Sequence, residues 1–299
     1  MPVSKLTAGR ARGHGNLRSR GPALGLGLAL ALTPAQAWAW HDDGHRIIGE
    51  IADRNLSPEI RAEVRSLLAD TPGYDTLATA ATWADRVAKE DARFDFLYSS
   101  HYVNLSERVS PRALLELCMA KSGCVAMGIV YFKDLLASTR ATRAERGEAL
   151  RFLAHFIGDA HQPLHTGRSE DRGGNTIDRL EMLEFTVEGR TNLHAVWDGG
   201  FVTIAMVRGG WTWAQYAGQL DGRVNPEMRA RWTVGATYDW IEESRLLAAA
   251  DAYLHADGIT PVRSGDTLGE DWYERNLPVA EMRLQQAGVR LAAVLEEVL

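Results

Sequence analysis

Apolar residues recur at steps of three and four through most of the chain beyond residue 45, the spacing that places them on one face of an α-helix. Three such stripes are Ile47, Ile48, Ile51 and Ala52; Ile60, Val64, Leu67 and Leu68; and Ala280, Leu284, Ala287, Leu291, Val294 and Val298. The pattern predicts amphipathic helices packed on a shared core, the last of them over Pro278–Leu299.

Two predicted helices have starts that are marked by local chemistry. Ser57 precedes Pro58, which gives an N-cap residue followed by the residue type favoured at the first helical position. Thr142 and Glu145 have the spacing of a capping box, in which each side chain binds the other residue's backbone N–H. We expect the helix that begins there to end before Pro163, because a proline ring cannot continue it.

One segment has the composition of β-structure. Residues 177–187 are rich in β-branched and aromatic side chains and are followed by Gly189, which predicts a short β-hairpin within residues 176–188. Asp171–Asn175 has the composition of a turn. Since no repeat or linker divides the chain, the predicted fold class is all-α, a single multi-helix domain with this small β element.

The N-terminal segment has a different composition. Its first twenty residues contain cations and no acids, and an apolar run from Ala23 to Leu32 leads to Ala37-Trp38-Ala39, the small-x-small pattern of a secretory cleavage site. The apolar run is about ten residues, far below the ~20 that cross a bilayer, so no membrane anchor is expected. We interpret residues 1–39 as a cleaved signal peptide and residues 40–299 as the mature domain of a periplasmic or secreted protein.

The charge of the chain narrows the class of function. The formal net charge is −6, and loss of the basic leader would make the protein more acidic. This balance argues against a protein that coats polyanions. It is compatible with an enzyme that binds phosphate through divalent cations, because such ions reverse the local field.

Cysteine usage is sparse. Cys118 and Cys124 are the two cysteines of the chain, and so close a pair in an exported protein predicts one local disulfide. Two thiols are too few for a cysteine-based zinc site. Any metal ligands must therefore come from histidines and carboxylates.

Histidine and aspartate at helical spacing indicate metal chemistry. His155 precedes Asp159 by four residues, His194 precedes Asp198 by four, and His165 lies between the pairs. Residues four apart on a helix project from the same face, and zinc accepts imidazole and carboxylate as ligands. One such pair is more often a hydrogen-bonded couple in a core. Two pairs with a further histidine favour a metal site.

Six motifs follow one another along the chain: Trp40-His-Asp-Asp-Gly-His45, Thr82-Trp-Ala-Asp85, Ser100-His101-Tyr102, Phe152-Leu-Ala-His155-Phe-Ile-Gly-Asp159-Ala-His-Gln-Pro-Leu-His165, Asp171-Arg-Gly-Gly-Asn175 and Asn192-Leu-His194-Ala-Val-Trp-Asp198. In this order they resemble the S1/P1 nuclease family. The resemblance extends from Trp40 to the last helix. It implies a mainly helical zinc phosphodiesterase, similar in fold to bacterial zinc phospholipase C, with three Zn²⁺ ions in a cleft.

The resemblance also implies a ligand set for each ion. These sets are Asp85, His101, His155 and Asp159 for the first; His165, His194 and Asp198 for the second; and, for the third, the α-amino nitrogen and carbonyl oxygen of Trp40 with His45 and a shared Asp159. A free amine can lose its proton and bind metal, whereas an amide nitrogen cannot, so removal of the leader would complete the third site. Catalytic roles fall to Asp159, as the shared ligand, and to Asp85, which would also steer a proton.

The remaining histidines match no ligand position. His161 lies two residues beyond Asp159, about 200° around a helix, and is predicted to be structural. His41 and His255 are predicted to be ordinary surface residues.

Substrate residues are also implied by the resemblance. Tyr102 would stack on a base, which contributes about 1–3 kcal/mol and requires a base outside a duplex. Asn104 stands where fungal relatives carry an aspartate, and its amide both donates and accepts. Asn175 is assigned to substrate binding with them. We expect a monomer that cleaves single-stranded DNA and RNA to 5′-phosphorylated products and also acts on 3′-nucleotides.

Two alternatives belong to other classes. A phospholipase C on the same scaffold would, as the resemblance implies, end its last ligand pair in glutamate, whereas this chain has Asp198. A zinc-storing protein would favour histidine-rich loops, whereas these ligands lie on predicted helices. Both features favour the nuclease.

Overall fold

Helices dominate the computed structural model, which describes residues 40–185 and 191–299. Its α-helices are α1 Asp42–Arg54, α2 Pro58–Leu68, α3 Leu77–Ala80, α4 Trp83–Glu90, α5 Pro111–Ala120, α6 Val125–Ala137, α7 Arg143–His161, α8 Leu193–Ala195, α9 Phe201–Gly209, α10 Trp213–Gly222, α11 Pro226–Trp232, α12 Thr237–Leu247 and α13 Glu270–Val298. Three 3₁₀ segments, Ala92–His101, Pro163–Thr166 and Leu183–Phe185, and two π-helical turns, Val196–Gly200 and Ala248–Ala252, complete the helical part. The all-α prediction is confirmed. The signal peptide predicted over residues 1–39 lies outside the described residues.

The helix α7 lies in the core of the domain. Every residue from Ala149 to His161 is buried, and α7 packs against α6, α13, α12 and α2. A helix covered on all sides has no solvated face for polar side chains. Its buried histidines and aspartate must therefore be satisfied by protein groups or by a ligand.

The predicted helix caps are present. The Ser57 hydroxyl accepts a hydrogen bond from the Ile60 backbone N–H at the start of α2. At the start of α7, Thr142 and Glu145 form the reciprocal capping box. The end of α7 at His161 agrees with the stop expected before Pro163.

The C-terminal helix differs from the prediction. It begins at Glu270, eight residues before Pro278, and Pro278 lies inside it. Proline is favoured at the first turn of a helix, and this preference alone points to a start at Pro278. The preceding turns are nevertheless held in the helix by packing, since Trp272, Tyr273 and Asn276 are buried in the core.

A three-stranded sheet of order β2-β1-β3 replaces the predicted hairpin. Its strands are β1 Asp178–Met182, β2 Thr191–Asn192 and β3 Thr267–Leu268. β1 pairs antiparallel with β2 and parallel with β3. The short β element predicted near residues 176–188 is present as β1, and its antiparallel partner β2 lies just beyond that range. After β1, Leu183 takes a positive φ and starts a 3₁₀ turn. Residues 186–190 lie outside the described residues.

The two cysteines join neighbouring helices. Cys118, near the end of α5, forms a disulfide with Cys124, the N-cap of α6, with a Cα–Cα distance of 5.1 Å. The predicted disulfide is confirmed. In the described residues, no single helix combines the length and apolarity needed to cross a bilayer; only α5 and α6 together, a pair bent by 92°, reach that length and composition.

Candidate metal centre

Eight of the predicted ligand side chains come together from seven separate elements. They form three groups in which the potential ligand atoms lie within 4.8 Å of one another: His45, His155 and Asp159; Asp85, His101 and His155; and His165, His194 and Asp198. Residues widely separated in sequence thus converge as the motif resemblance implied.

The distances within the groups fit coordination of a single ion by each. A tetrahedral ion with bonds of about 2.0–2.1 Å separates its ligand atoms by about 3.3–3.4 Å. His155 Nε2 lies 3.2 Å from Asp159 Oδ2 and 3.5 Å from Asp85 Oδ1. In the third group, Asp198 Oδ2 lies 3.5 Å from His194 Nε2 and Asp198 Oδ1 lies 3.6 Å from His165 Nε2.

Asp159 faces two groups with its two oxygens. Oδ2 lies 3.1 Å from His101 Nδ1, and Oδ1 lies 3.5 Å from His45 Nε2. His155 also lies near both groups, because its ring stacks on that of His45 with centroids 3.9 Å apart. Its Nε2 has one lone pair and can ligate one ion. Asp159 is therefore the side chain whose geometry suits a bridge.

The second nitrogen of several ligand histidines is fixed by the backbone. Three of them donate Nδ1–H to a carbonyl oxygen at 2.7 Å: His155 to Ala81, His165 to His101 and His194 to Gly173. A carbonyl can only accept, so the proton must reside on Nδ1. The lone pair of Nε2 is then directed into the site, an arrangement common around metal-binding histidines.

Buried polar atoms in the site lack hydrogen-bond partners among the described residues. They are both ring nitrogens of His45, Oδ1 of Asp85, Oδ1 of Asp159, Nε2 of His165 and Oδ2 of Asp198. Leaving so many buried polar atoms unsatisfied would cost several kcal/mol. Each belongs to a side chain that the resemblance assigns to a metal ion. The residues present therefore fit a bound metal.

The electrostatics of the site favour cations. Burial would raise the pKa of Asp159, but His155 and His165 hold it well below its ordinary value. Burial likewise acts against ionisation of Asp198, and His194 and His165 again lower its pKa. Both carboxylates are thus charged and buried.

The pKa values of the two stacked histidines, His45 and His155, are shifted in opposite directions. Burial lowers the pKa of His45, and the adjacent His155 lowers it further. Burial also acts to lower the pKa of His155, but Asp159 and Asp85 outweigh it and raise the pKa to about 9. A proton on His155 occupies the place where a metal ion would bind, and metal binding would release it.

Residue 40 lies between two ligand-bearing elements. The Trp40 side chain is fully buried, and its indole Nε1–H donates to the Gly158 carbonyl at 3.1 Å, one residue before Asp159. The next residue, His41, donates its backbone N–H to the Asp198 carbonyl at 2.9 Å. The backbone of residue 40 is therefore held close to Asp159 and Asp198, as it would have to be to bind a metal ion with them.

The Asp171–Asn175 turn orients a ligand. Gly173 has φ +65°, and a Cβ there would lie 2.3 Å from the Leu164 carbonyl oxygen. Only glycine fits, and it presents its own carbonyl to His194. Asp171 Oδ1 secures the turn by accepting from Gly174 N–H and from the Tyr253 hydroxyl. Tyr253 carried no signal in the sequence.

A cleft of about 470 Å³ opens beside the metal groups. We call it the tyrosine cleft; its lining includes His101, His165 and His194 and the three predicted substrate residues Tyr102, Asn104 and Asn175. The Tyr98 and Tyr102 rings meet edge to face with centroids 6.5 Å apart. Tyr98, Lys121 and Arg172 also line the cleft and were not predicted. Tyr98 and Lys121 belong to none of the six motifs, and Arg172 lies in the Asp171–Asn175 motif, where only Asn175 was assigned to substrate.

The other histidines lie outside the groups. His161 is buried, donates to the Ile157 carbonyl and faces Arg290 at 2.8 Å, which agrees with a structural role. His41 is exposed as predicted. His255 is partly exposed, pairs with Asp266 at 2.8 Å and belongs to none of the three groups.

A helical domain with three buried His/Asp groups beside one cleft has the features of a metal-dependent hydrolase. The S1/P1 nuclease family model matches residues 40–299, and the chain belongs to this family. Its members are metal-dependent hydrolases of phosphodiester bonds, so the chain is an enzyme of this class and a nuclease. The predicted family is confirmed.

Several characterised proteins are similar over most of their length. Endonuclease 2 of Arabidopsis thaliana is 31% identical over 282 residues, which covers 86% of this chain and 89% of the relative. Nuclease S1 of Aspergillus oryzae is 30% identical over 270 residues, covering 85% and 89%. Nuclease P1 of Penicillium citrinum is 25% identical over 273 residues, covering 85% and 96%.

Proposed function

We propose that the chain is an exported, monomeric, zinc-dependent endonuclease. It cleaves single-stranded DNA and RNA to 5′-phosphorylated products and removes phosphate from 3′-nucleotides. The observation that carries the proposal is the convergence, beside a cleft lined by tyrosines, of three His/Asp groups, two of which share His155 and lie against the two oxygens of Asp159.

Three zinc ions would be held by this chain's residues. Asp85, His101, His155 and Asp159 would hold one; His165, His194 and Asp198 a second; and Trp40, His45 and Asp159 a third. Imidazole nitrogen and carboxylate oxygen are ligands that suit zinc, although other divalent ions also accept them. Bound zinc would supply Lewis acidity, which makes hydroxide available near neutral pH and offsets charge developing on a phosphodiester.

The protein residues would have distinct tasks. Asp159 would fix the spacing of two ligand groups through its two oxygens, and Asp85, which is partly exposed, would also accept or steer a proton. Tyr102, half-buried in the cleft, would stack on an unpaired base, and Asn104 and Asn175 would contact its edge or sugar. Duplex DNA would be a poor substrate, because its bases are not available for stacking.

Removal of residues 1–39 would complete the site. Cleavage after Ala39 frees the Trp40 amine, which can then lose its proton and bind metal. The buried indole and the His41 to Asp198 hydrogen bond would place that amine near the ligand groups. In this proposal, the third metal site forms only after the protein has been exported from the cytoplasm and its leader has been cleaved.

A nuclease assay with metal analysis tests the function. The processed protein, beginning at Trp40, is analysed for bound metal and then incubated with heat-denatured DNA, duplex DNA and a lecithin. We expect zinc-dependent release of acid-soluble nucleotides from denatured DNA, loss of activity on chelation and recovery on adding zinc. Release of phosphocholine instead, or undiminished cleavage without metal, would overturn the proposal.

A further inference from the structure

The tyrosine cleft carries positive charge that the metal groups do not use. Lys121 and Arg172 both line it, and no carboxylate is among its described lining residues. Neither cationic side chain makes an ion pair or hydrogen bond with another described residue. Uncompensated cations in an acidic chain of net charge −6 mark a place suited to an anion.

The backbone at Lys121 and Arg172 is held by local hydrogen bonds. Lys121 follows the last residue of α5, where its backbone N–H donates to the Leu117 and Cys118 carbonyls, and the Cys118–Cys124 disulfide closes the loop that contains it. The Arg172 backbone N–H donates to the Ser169 carbonyl within the turn that precedes Gly173. The fold therefore fixes the backbone at both residues.

Arg172 occupies an unusual backbone conformation. Its φ is +58°, a left-handed region disfavoured for a residue with a long side chain. Such strain at a non-glycine residue is concentrated at functional positions. Arg172 and Tyr102 line the same cleft. The charge of Arg172 therefore lies in the cleft that holds the proposed stacking residue.

The size of the cleft leaves room beyond the scissile phosphate. Its volume is about 470 Å³, within the range of pockets that hold a whole small ligand. His101, His165 and His194 in the lining belong to the metal groups, which would receive the scissile phosphate. A strand held in the cleft by Tyr102 would bring a neighbouring phosphate within the same lining as Lys121 and Arg172.

We propose that Lys121 and Arg172 bind a non-scissile phosphate and thereby select oligonucleotides over substrates with a single phosphate. The inference rests on the nuclease function proposed above, and adds a substrate preference to it. Both residues act on binding and take no part in bond cleavage.

Binding of a fluorescent phosphorothioate oligothymidylate, which resists hydrolysis, to the zinc-loaded protein is followed by anisotropy and tests the charge without catalysis. We expect Lys121→Gln/Arg172→Gln to bind about two- to fivefold more weakly for each cation removed, the range of exposed ion pairs. The logarithmic salt dependence should become shallower by about 0.7, the value for one phosphate contact in a single strand. Arg172→Lys should retain most of the affinity, since charge and not shape is required.

The matched control is Arg65→Gln/Arg140→Gln, which removes two exposed cations away from the cleft. Its affinity and salt dependence should equal those of the wild type. Equal behaviour of the two double variants, or an unchanged salt dependence in both, would overturn the phosphate assignment. So would the absence of any oligothymidylate binding by the wild type.

Turnover provides the second measurement. With zinc, the ratio of kcat/KM for oligothymidylate to that for the dinucleotide thymidylyl-thymidine should fall in Lys121→Gln/Arg172→Gln through a higher KM for the oligomer. An unchanged ratio would contradict the inference. Failure of the wild type to hydrolyse either substrate, with salt-sensitive binding intact, would instead refute the nuclease function and leave the phosphate contact standing.

Discussion

Replacement of Asp159 by asparagine tests whether one carboxylate serves two ligand groups. Its two oxygens lie 3.1 Å from His101 Nδ1 and 3.5 Å from His45 Nε2. Asparagine keeps the shape but removes the charge and turns one ligand oxygen into a hydrogen-bond donor. Since both groups lose a ligand together, we expect bound zinc to fall from three ions to one.

The matched control is Asp198→Asn, the same change at a carboxylate that is also fully buried but serves a single group. It should lose one ion. An ion present at a hundred times its Kd stabilises the folded state by about 2.7 kcal/mol. The zinc-dependent part of the free energy of unfolding should therefore fall by about 5 kcal/mol in Asp159→Asn and by about 3 kcal/mol in Asp198→Asn.

Two measurements decide the question. Elemental analysis counts the ions, and urea unfolding with and without chelator gives the zinc-dependent stability. Full zinc and full nuclease activity in Asp159→Asn would refute the assignment of this residue. Equal losses in the two variants would refute its role as a bridge.

The site leads to three further predictions. A protein with one residue added before Trp40 should bind one zinc ion fewer and lose most activity, as measured by elemental analysis and cleavage of denatured DNA; equal zinc content would contradict a role for the amine. Gly173→Ala should reduce the free energy of unfolding by at least about 2 kcal/mol, because its Cβ meets a carbonyl at 2.3 Å. Gly210→Ala, which has a similar φ but open space, should cost about 1 kcal/mol, and equal losses in urea unfolding would argue against the close contact. Tyr102→Ala should raise KM for single strands by about five- to a hundredfold, the equivalent of one lost stacking interaction; an unchanged KM would remove Tyr102 from the binding site.

The parts of the site that the sequence could predict depend on short-range rules. His155 and Asp159 share a face because α7 is a regular helix, and its capping box was visible at Thr142 and Glu145. The pair His194 and Asp198 was also predicted from helical spacing, although the backbone there passes from α8 into a π-helical turn. Residues four apart still lie close together in this backbone, so His194 and Asp198 meet as predicted although the segment is not a regular α-helix.

Other features depend on contacts that spacing does not encode. The pairing of β1 with β3 joins Glu181 to Thr267, and no local pattern specifies a partner so distant. Lys121 and Arg172 are exposed cations of an ordinary kind until the fold brings them to one cleft. The early start of α13 depends on burial of Trp272, which outweighs the usual preference for proline at a helix start.

The position of Trp40 has a practical consequence for anyone who prepares this enzyme. With its indole inside the core and its neighbour bonded to the Asp198 backbone, Trp40 leaves little room for a peptide added directly before it. At the opposite end, Glu296 and Glu297 of α13 are exposed. Purification handles, dyes and surface linkers therefore belong at the carboxyl end, where attachment would leave the Trp40 amine free for the proposed metal binding.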